Sequence, residues 1–219
     1  AEASVAPTLV WQGFVAAHEA GDFADVLAWQ ARLGSGPAAG HRFEHAFRLA
    51  DTHRHLGDLP AATDEALRAI VLAAQAGSGA SAEQLAALRR TVFDDAAALG
   101  RWSDVVAVGE ELLRAGGAGD AELVVPLARA HLKLGSATRA GELAQSGLER
   151  ASTEPQARTF HVLAFIAATE LGDTAAARAH TAAVGDSVPS ALYADFGSAV
   201  ARLKVAAGDV TGARDELVA

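Results

Sequence analysis

Apolar and polar positions along the chain break at six corners of one kind. A run with apolar residues at helical spacing ends in Gly. A small or polar residue usually follows, then a third residue that is mostly apolar, and a new helical run begins. The corners are Gly21-Asp22-Phe23, Gly57-Asp58-Leu59, Gly100-Arg101-Trp102, Gly135-Ser136-Ala137, Gly172-Asp173-Thr174 and Gly208-Asp209-Val210. Successive glycines lie 36, 43, 35, 37 and 36 residues apart. Gly takes the left-handed conformation that stops a helix. An Asp or Ser beside it can accept a hydrogen bond from a free N–H at the start of the next helix. The pattern therefore predicts an all-α chain of about six helix–turn–helix units, about twelve helices in all.

Cap signals place the helix limits. Ser81-Ala-Glu-Gln84 and Thr153-Glu-Pro-Gln156 each read as a capping box, and Asp120 is placed to cap the run from Ala121. Gly77-Ser-Gly-Ala-Ser81 explains the long 43-residue interval as an inserted flexible loop, and Gly116-Gly-Ala-Gly119 is a shorter one. The repeats are expected at about 7–36, 41–76, 81–116, 120–151, 154–186 and 189–219, in a single domain over 1–219, with 77–81 as the best place for a boundary. The last helix starts near Val210, and Val210, Ala213, Leu217 and Val218 form an apolar stripe on it. Repeat arrays need a polar terminal cap. This end is therefore expected to continue in a larger chain or to be covered by self-association.

The unit resembles the tetratricopeptide repeat, a helix pair of about 34 residues. The resemblance rests on more than the corner. Leu followed by a small residue stands about eight positions before the Gly, as Leu49-Ala50, Leu127-Ala128 and, approximately, Val200-Ala201. A small residue stands five positions after it, as Ala62, Ala140, Ala177 and Ala213. Units one, three and five fit less well, and Phe93 replaces the small residue in unit three. The resemblance implies a right-handed α-solenoid whose first helices, here helices A, line a concave groove for a protein or peptide segment. In style the chain is also similar to the helical repeat region of large ATP-binding LuxR-type bacterial regulators, which share Ala/Leu/Arg-rich repeats with Gly-Asp corners.

Composition narrows the functions. Half of the chain is hydrophobic but only 5% is aromatic, so Ala and Leu must build the core. The charge is 18 − 27 = −9, against the positive field that a nucleic-acid partner requires. Sixteen of the eighteen basic residues are Arg, with Lys only at 133 and 204, which suggests a GC-rich, bacterial genome. With no Cys there is no disulfide, thiolate metal site or Cys nucleophile. No stretch approaches the roughly 18 uninterrupted apolar residues of a membrane span. The Ala1-Glu2-Ala3-Ser4 start lacks a signal-peptide pattern. The expected location is cytoplasmic.

One segment carries candidate chemistry. His41-Arg-Phe-Glu-His45 spells H-x-x-E-H, in which two His could hold zinc with Glu as base. It falls in helix A of unit two and no third ligand is marked, so ordinary helix A sequence is the expected reading. Trp102 occupies the corner position of Phe23 and Leu59 and is expected in the core, as is Trp11; Trp29, in the middle of helix B of unit one, is left open between packing and a binding anchor.

Counting back from each corner Gly gives the groove-facing candidates. They are Glu44, Phe47, Asp51, Arg54 and His55 in unit two, Arg90, Asp94 and Ala97 in unit three, and Glu122, Val125, Arg129 and Lys133 in unit four. The resemblance also implies that a clamp for peptide carboxylates needs Asn, which this chain lacks. The expected function is a non-catalytic protein-interaction scaffold within a larger bacterial regulatory or assembly protein, with no cofactor. The alternatives are a sensor binding a small molecule or short peptide in the groove and, remotely, a zinc enzyme using His41 and His45.

Overall fold

The computed structural model describes residues 7–33, 36–37, 39–75, 78–116, 120–185, 187–209 and 212–213. Among these residues the chain is all α. Its helices are α1 (Pro7–Glu19), α2 (Phe23–Leu33), α3 (Arg42–His55), α4 (Leu59–Ala73), α5 (Ala82–Ala98), α6 (Trp102–Arg114), α7 (Ala121–Lys133), α8 (Ala137–Arg150), α9 (Glu154–Glu170), α10 (Thr174–Val184) and α11 (Tyr193–Ala206). Single 3₁₀ turns precede α3 and α11. The expected twelfth helix and most of its apolar stripe (Val210, Leu217, Val218) lie outside the described residues, as do Gly77 and residues 117–119 of the two expected loops.

All six corner glycines have positive φ, between +68° and +85°. The corner at Gly57 shows how one is built. Gly57 N–H donates to the Arg54 carbonyl at 3.0 Å, and Asp58 N–H donates to the His53 carbonyl at 2.9 Å. This is the Schellman pair, which satisfies the last carbonyls of α3. The Asp58 carboxylate then accepts from Ala61 N–H at 3.2 Å and caps α4. The same backbone pair recurs at Gly21, Gly135, Gly172 and Gly208. Asp22, Asp173 and Asp209 repeat the side-chain cap. Ser136 makes no cap hydrogen bond with its side chain.

The capping box at Ser81 is complete, since Gln84 also reaches back to Ser81 N–H. At Thr153 only half of the expected box forms. The Thr153 hydroxyl accepts from Gln156 N–H, but the Gln156 side chain turns to the backbone N–H and hydroxyl of Ser152. Asp120 caps α7 as expected, through Glu122 N–H at 2.9 Å.

The helices gather into two compact units, Ala1–Leu99 and Gly100–Ala219. The division falls at the corner of the third repeat rather than in 77–81. In the first unit α1 packs on α2, α3 on α4, and α2 and α4 each on the next helix A. Phe14, Val26 and Leu49 form its apolar centre, flanked by Trp11 and Trp29. Trp29 lies flat against Gly13, where a Cβ would come within 2.6 Å of its ring. Trp29 is therefore an inter-helix packing residue.

In the second unit α9 is central, packing against α7, α8, α10 and α11. Phe160 and every residue from Val162 to Ala168 are buried. A helix that is apolar nearly all round is surrounded by others. The small residues named above do what close packing requires: Ala62, Ala140, Ala177 and Ala213 are all buried. Phe93, the large replacement, is also fully buried, whereas Val200 and Trp102 are only half-buried. Trp102 is thus a partial wall and not a core residue; the Arg129 guanidinium lies 5.5 Å from its ring centroid.

A second tie holds helices B of this unit. Glu110 on α6 receives a two-pronged contact from Arg139 on α8, at 2.9 and 3.0 Å, and a third bond from His131 on α7 at 3.0 Å. The Arg139 hydrogen bonds hold the Glu110 carboxyl below its usual pKa, against the opposing effect of burial.

Three variants test this construction in urea melts. Asp58→Ala removes the cap of α4 and should cost about 1 kcal/mol. Gly147→Ala drives a methyl into the buried Phe160 ring and should cost a net of about 1–2 kcal/mol, overpacking outweighing the gain in helix propensity. Gly197→Ala, which meets open space on α11, should stabilise by roughly 0.5–1 kcal/mol. Equal effects at 147 and 197 would contradict the close α8–α9 approach.

Candidate functional site

In the first unit the candidates on α3 divide into two groups. Asp51, Arg54 and His55 are tied to neighbouring elements. His18 Nε2 on α1 lies 3.0 Å from an Asp51 carboxylate oxygen, and Arg54 pairs with Asp95 on α5. His55 stacks on Phe23, with ring centroids 4.3 Å apart, and its Nδ1 lies 2.9 Å from the Asp51 carbonyl. The Arg48 guanidinium completes the network, bonding Glu44 at 3.0 Å, His18 Nδ1 at 3.0 Å and Glu19 at 3.3 Å. Arg can only donate. His18 Nδ1 must therefore be the acceptor, and His18 donates its Nε2–H to Asp51.

Glu44 and Phe47 form the other group. They line a cleft of about 350 Å³ with His18, Gly40, Phe43, Arg48, Ser78, Gly79 and Gln84. Phe43 forms a buried floor, and Phe47 is half-buried with its ring centroid 5.9 Å from that of Phe43. Arg90 and Asp94 pair with each other along α5 at 3.3 Å, an exposed i,i+4 contact, and Ala97 is half-buried.

In the second unit Arg129 and Lys133 converge. Both reach from α7 to Asp195 on α11, at 3.1 and 2.6 Å. Lys133 and Asp195 line a second cleft, of about 290 Å³, together with Leu132, Ile166, Glu170, Ser198, Ala199 and Arg202. Arg202 pairs with Glu170 across it. Glu122 is exposed and Val125 half-buried, both nearer the start of α7 and outside this lining. A larger cleft, of about 480 Å³, lies at the α7–α8 corner beside the end of α9, away from most helix A candidates.

Asp195, Arg202 and Glu170 are missing from the sequence-derived set, yet the same offsets find them. Glu44 and Glu122 stand 13 residues before their corner glycines, and 208 − 13 gives Asp195. Asp51 and Arg129 stand six before, and 208 − 6 gives Arg202. The count simply has to be carried through the last units.

The H-x-x-E-H segment is built as packing. His41 sits at the start of α3, exposed, with its ring 4.8 Å from that of Trp11. His45 is buried beside Phe14, and its Nε2 is bonded to the Gln30 side-chain oxygen on α2. No group of three or more His, Cys, Asp or Glu suited to a metal ion occurs among the described residues. None of their helices is long and apolar enough to cross a membrane.

No protein-family model matches the chain, and no curated protein matches it. Solved structures do. A mutant of MamA superposes with a TM-score of 0.52 at 12% identity, covering 82% of this chain and 96% of that one. MamA MSR-1 gives the same TM-score at 13% identity, over 82% and 95%. A tetratricopeptide repeat protein from Parabacteroides merdae aligns over 96% of this chain and 90% of its own, at 14% identity and a TM-score of 0.44. The fold is tetratricopeptide-like: helices packed in sequence as helix–turn–helix repeats. At these identities the likeness concerns the fold alone.

His45 makes the fold of the first unit sensitive to acid. Burial, with help from the Arg68 charge, lowers its pKa from the ordinary 6.5 to about 4. The unfolded chain therefore binds more protons between these values, and stability falls as pH drops from 6.5 toward 4. Urea melts at descending pH should show a loss of about 1–3 kcal/mol from this group. His45→Gln, which keeps an N–H for Gln30 without titrating, should flatten that part of the profile. An unchanged slope would place the acid sensitivity elsewhere.

Proposed function

We propose that this chain is a non-catalytic protein-interaction scaffold, the repeat region of a larger bacterial regulatory or assembly protein, which takes a peptide segment along the exposed face of its helices A. The tetratricopeptide-like fold is commonly used as such a scaffold. The observation that carries the reading is the cleft at Phe43, Glu44, Phe47 and Arg48. It combines an aromatic floor with a half-exposed aromatic side chain and charged groups at its edge, the mixture that anchors a peptide side chain.

The reading assigns different work to the candidates. Glu44 and Phe47 meet the partner. Asp51, Arg54 and His55 keep adjacent elements in register, so reversing their charge would disturb the fold as well as binding. Arg90 and Asp94 extend the face within the first unit; in the second unit Glu122 and Val125 lie on helix A, and Arg129 and Lys133 present an ion-paired patch around Asp195. A sensor would need an apolar-lined pocket with a few convergent polar groups; the clefts here have mixed linings, which favours a peptide over a small apolar ligand.

The test is affinity capture, followed by calorimetry with the recovered partner purified. Phe47→Ala should weaken binding by roughly 30-fold, the scale of a central aromatic anchor. Val71→Ala, an exposed substitution on α4, should leave binding unchanged. Equal affinities of wild type and Phe47→Ala would reject this face as the binding site.

A further inference from the structure

His161 on α9 and His180 on α10 lie outside every contact discussed so far. They belong to the two helices of one hairpin, closed at Gly172. Both are half-buried, with ring centroids 5.4 Å apart. Their Nδ1 atoms face each other at 3.1 Å. Without a cation, one Nδ1 donates and the other accepts.

The same spacing suits a chelate. Two imidazole nitrogens, each about 2.0–2.1 Å from one tetrahedral cation, stand about 3.3 Å apart. We propose that His161 and His180 form a two-imidazole site for a divalent cation of the zinc and nickel class, which ties α10 to α9. Imidazole suits both ions, whereas hard cations such as magnesium prefer oxygen. Ligation requires neutral rings.

The site differs from the H-x-x-E-H segment in the property that matters. There the buried His45 Nε2 is engaged by Gln30; here two ring nitrogens from different helices lie 3.1 Å apart. With two protein ligands and water completing the shell, binding is reversible and weaker than in a closed four-ligand site. Its structural effect follows from burial. Eight of the 17 residues of α9 are buried, but only Ala177 and Val184 of α10 are. A cation bridging the two helices would therefore secure the more weakly held one, and binding to the folded state raises its stability.

The experiment is calorimetric titration of the whole chain with Zn²⁺ alone and Ni²⁺ alone at neutral pH. The wild type should bind one ion, and His161→Gln and His180→Gln should each weaken binding on the order of tenfold or more. His53→Ala, on α3, should bind like the wild type. Equal affinity in the wild type and both Gln variants overturns the proposal. Metal-free melts show whether each variant folds. A measurement on the wild type itself needs no variant: imidazole ¹⁵N spectra recorded with added Zn²⁺. Shifts at the ring nitrogens of His161 and His180 support the site, and shifts confined to other histidines reject it.

Discussion

The structure depends on a corner in which one residue serves two helices. Asp58 donates its backbone N–H to the end of α3 and offers its carboxylate to the start of α4. It can do both only because Gly57, at φ +79°, turns the chain through the left-handed region. An L side chain at that φ costs roughly 1–2 kcal/mol. The arrangement satisfies polar groups that a helix end would otherwise leave open. It also fixes the second helix antiparallel to the first, so the packing that follows starts from a determined geometry.

That packing is made from small residues. With few aromatics, the chain cannot fill wide spaces between helices, and it brings the helices close instead. Ala62, Ala140 and Ala177 are fully buried beyond their corners. Where an aromatic ring is present, a glycine opposite it makes room, as Gly13 does for Trp29 and Gly147 for Phe160. Polar ties then lock one repeat to the next. Glu110 joins α6, α7 and α8, and the His18–Asp51 and Arg54–Asp95 pairs join successive helices A.

These ties shape the functional reading. A charged residue on helix A is not automatically available to a partner, because much of that charge is already satisfied between helices. What remains in the first unit is a narrower surface at Phe47 and Glu44; in the second, Arg129 and Lys133 are engaged by Asp195. The same consideration separates the two histidine features. His45 is absorbed by the core and its acid sensitivity belongs to stability, whereas His161 and His180 direct two nitrogens at one another.

The corners were legible in the sequence because they are local. A Schellman turn and its Asp cap involve residues within about eight positions, so Gly-Asp at a regular interval is enough to place the helix pairs. The capping box at Ser81 and the cap at Asp120 belong to the same class. Helix periodicity also marked Glu44, Phe47, Arg129 and Lys133 as sharing helix A faces. The tertiary structure decided which of those side chains are used up. The Arg129–Asp195 pair spans 66 residues, and no local pattern announces it. Likewise only packing could press Trp29 onto Gly13, leave Trp102 half-exposed and set His161 against His180. Hydrogen bonds at helix ends are written by neighbours in sequence; ion pairs and ring contacts between helices are set by neighbours in space, after the corners have fixed where each helix lies.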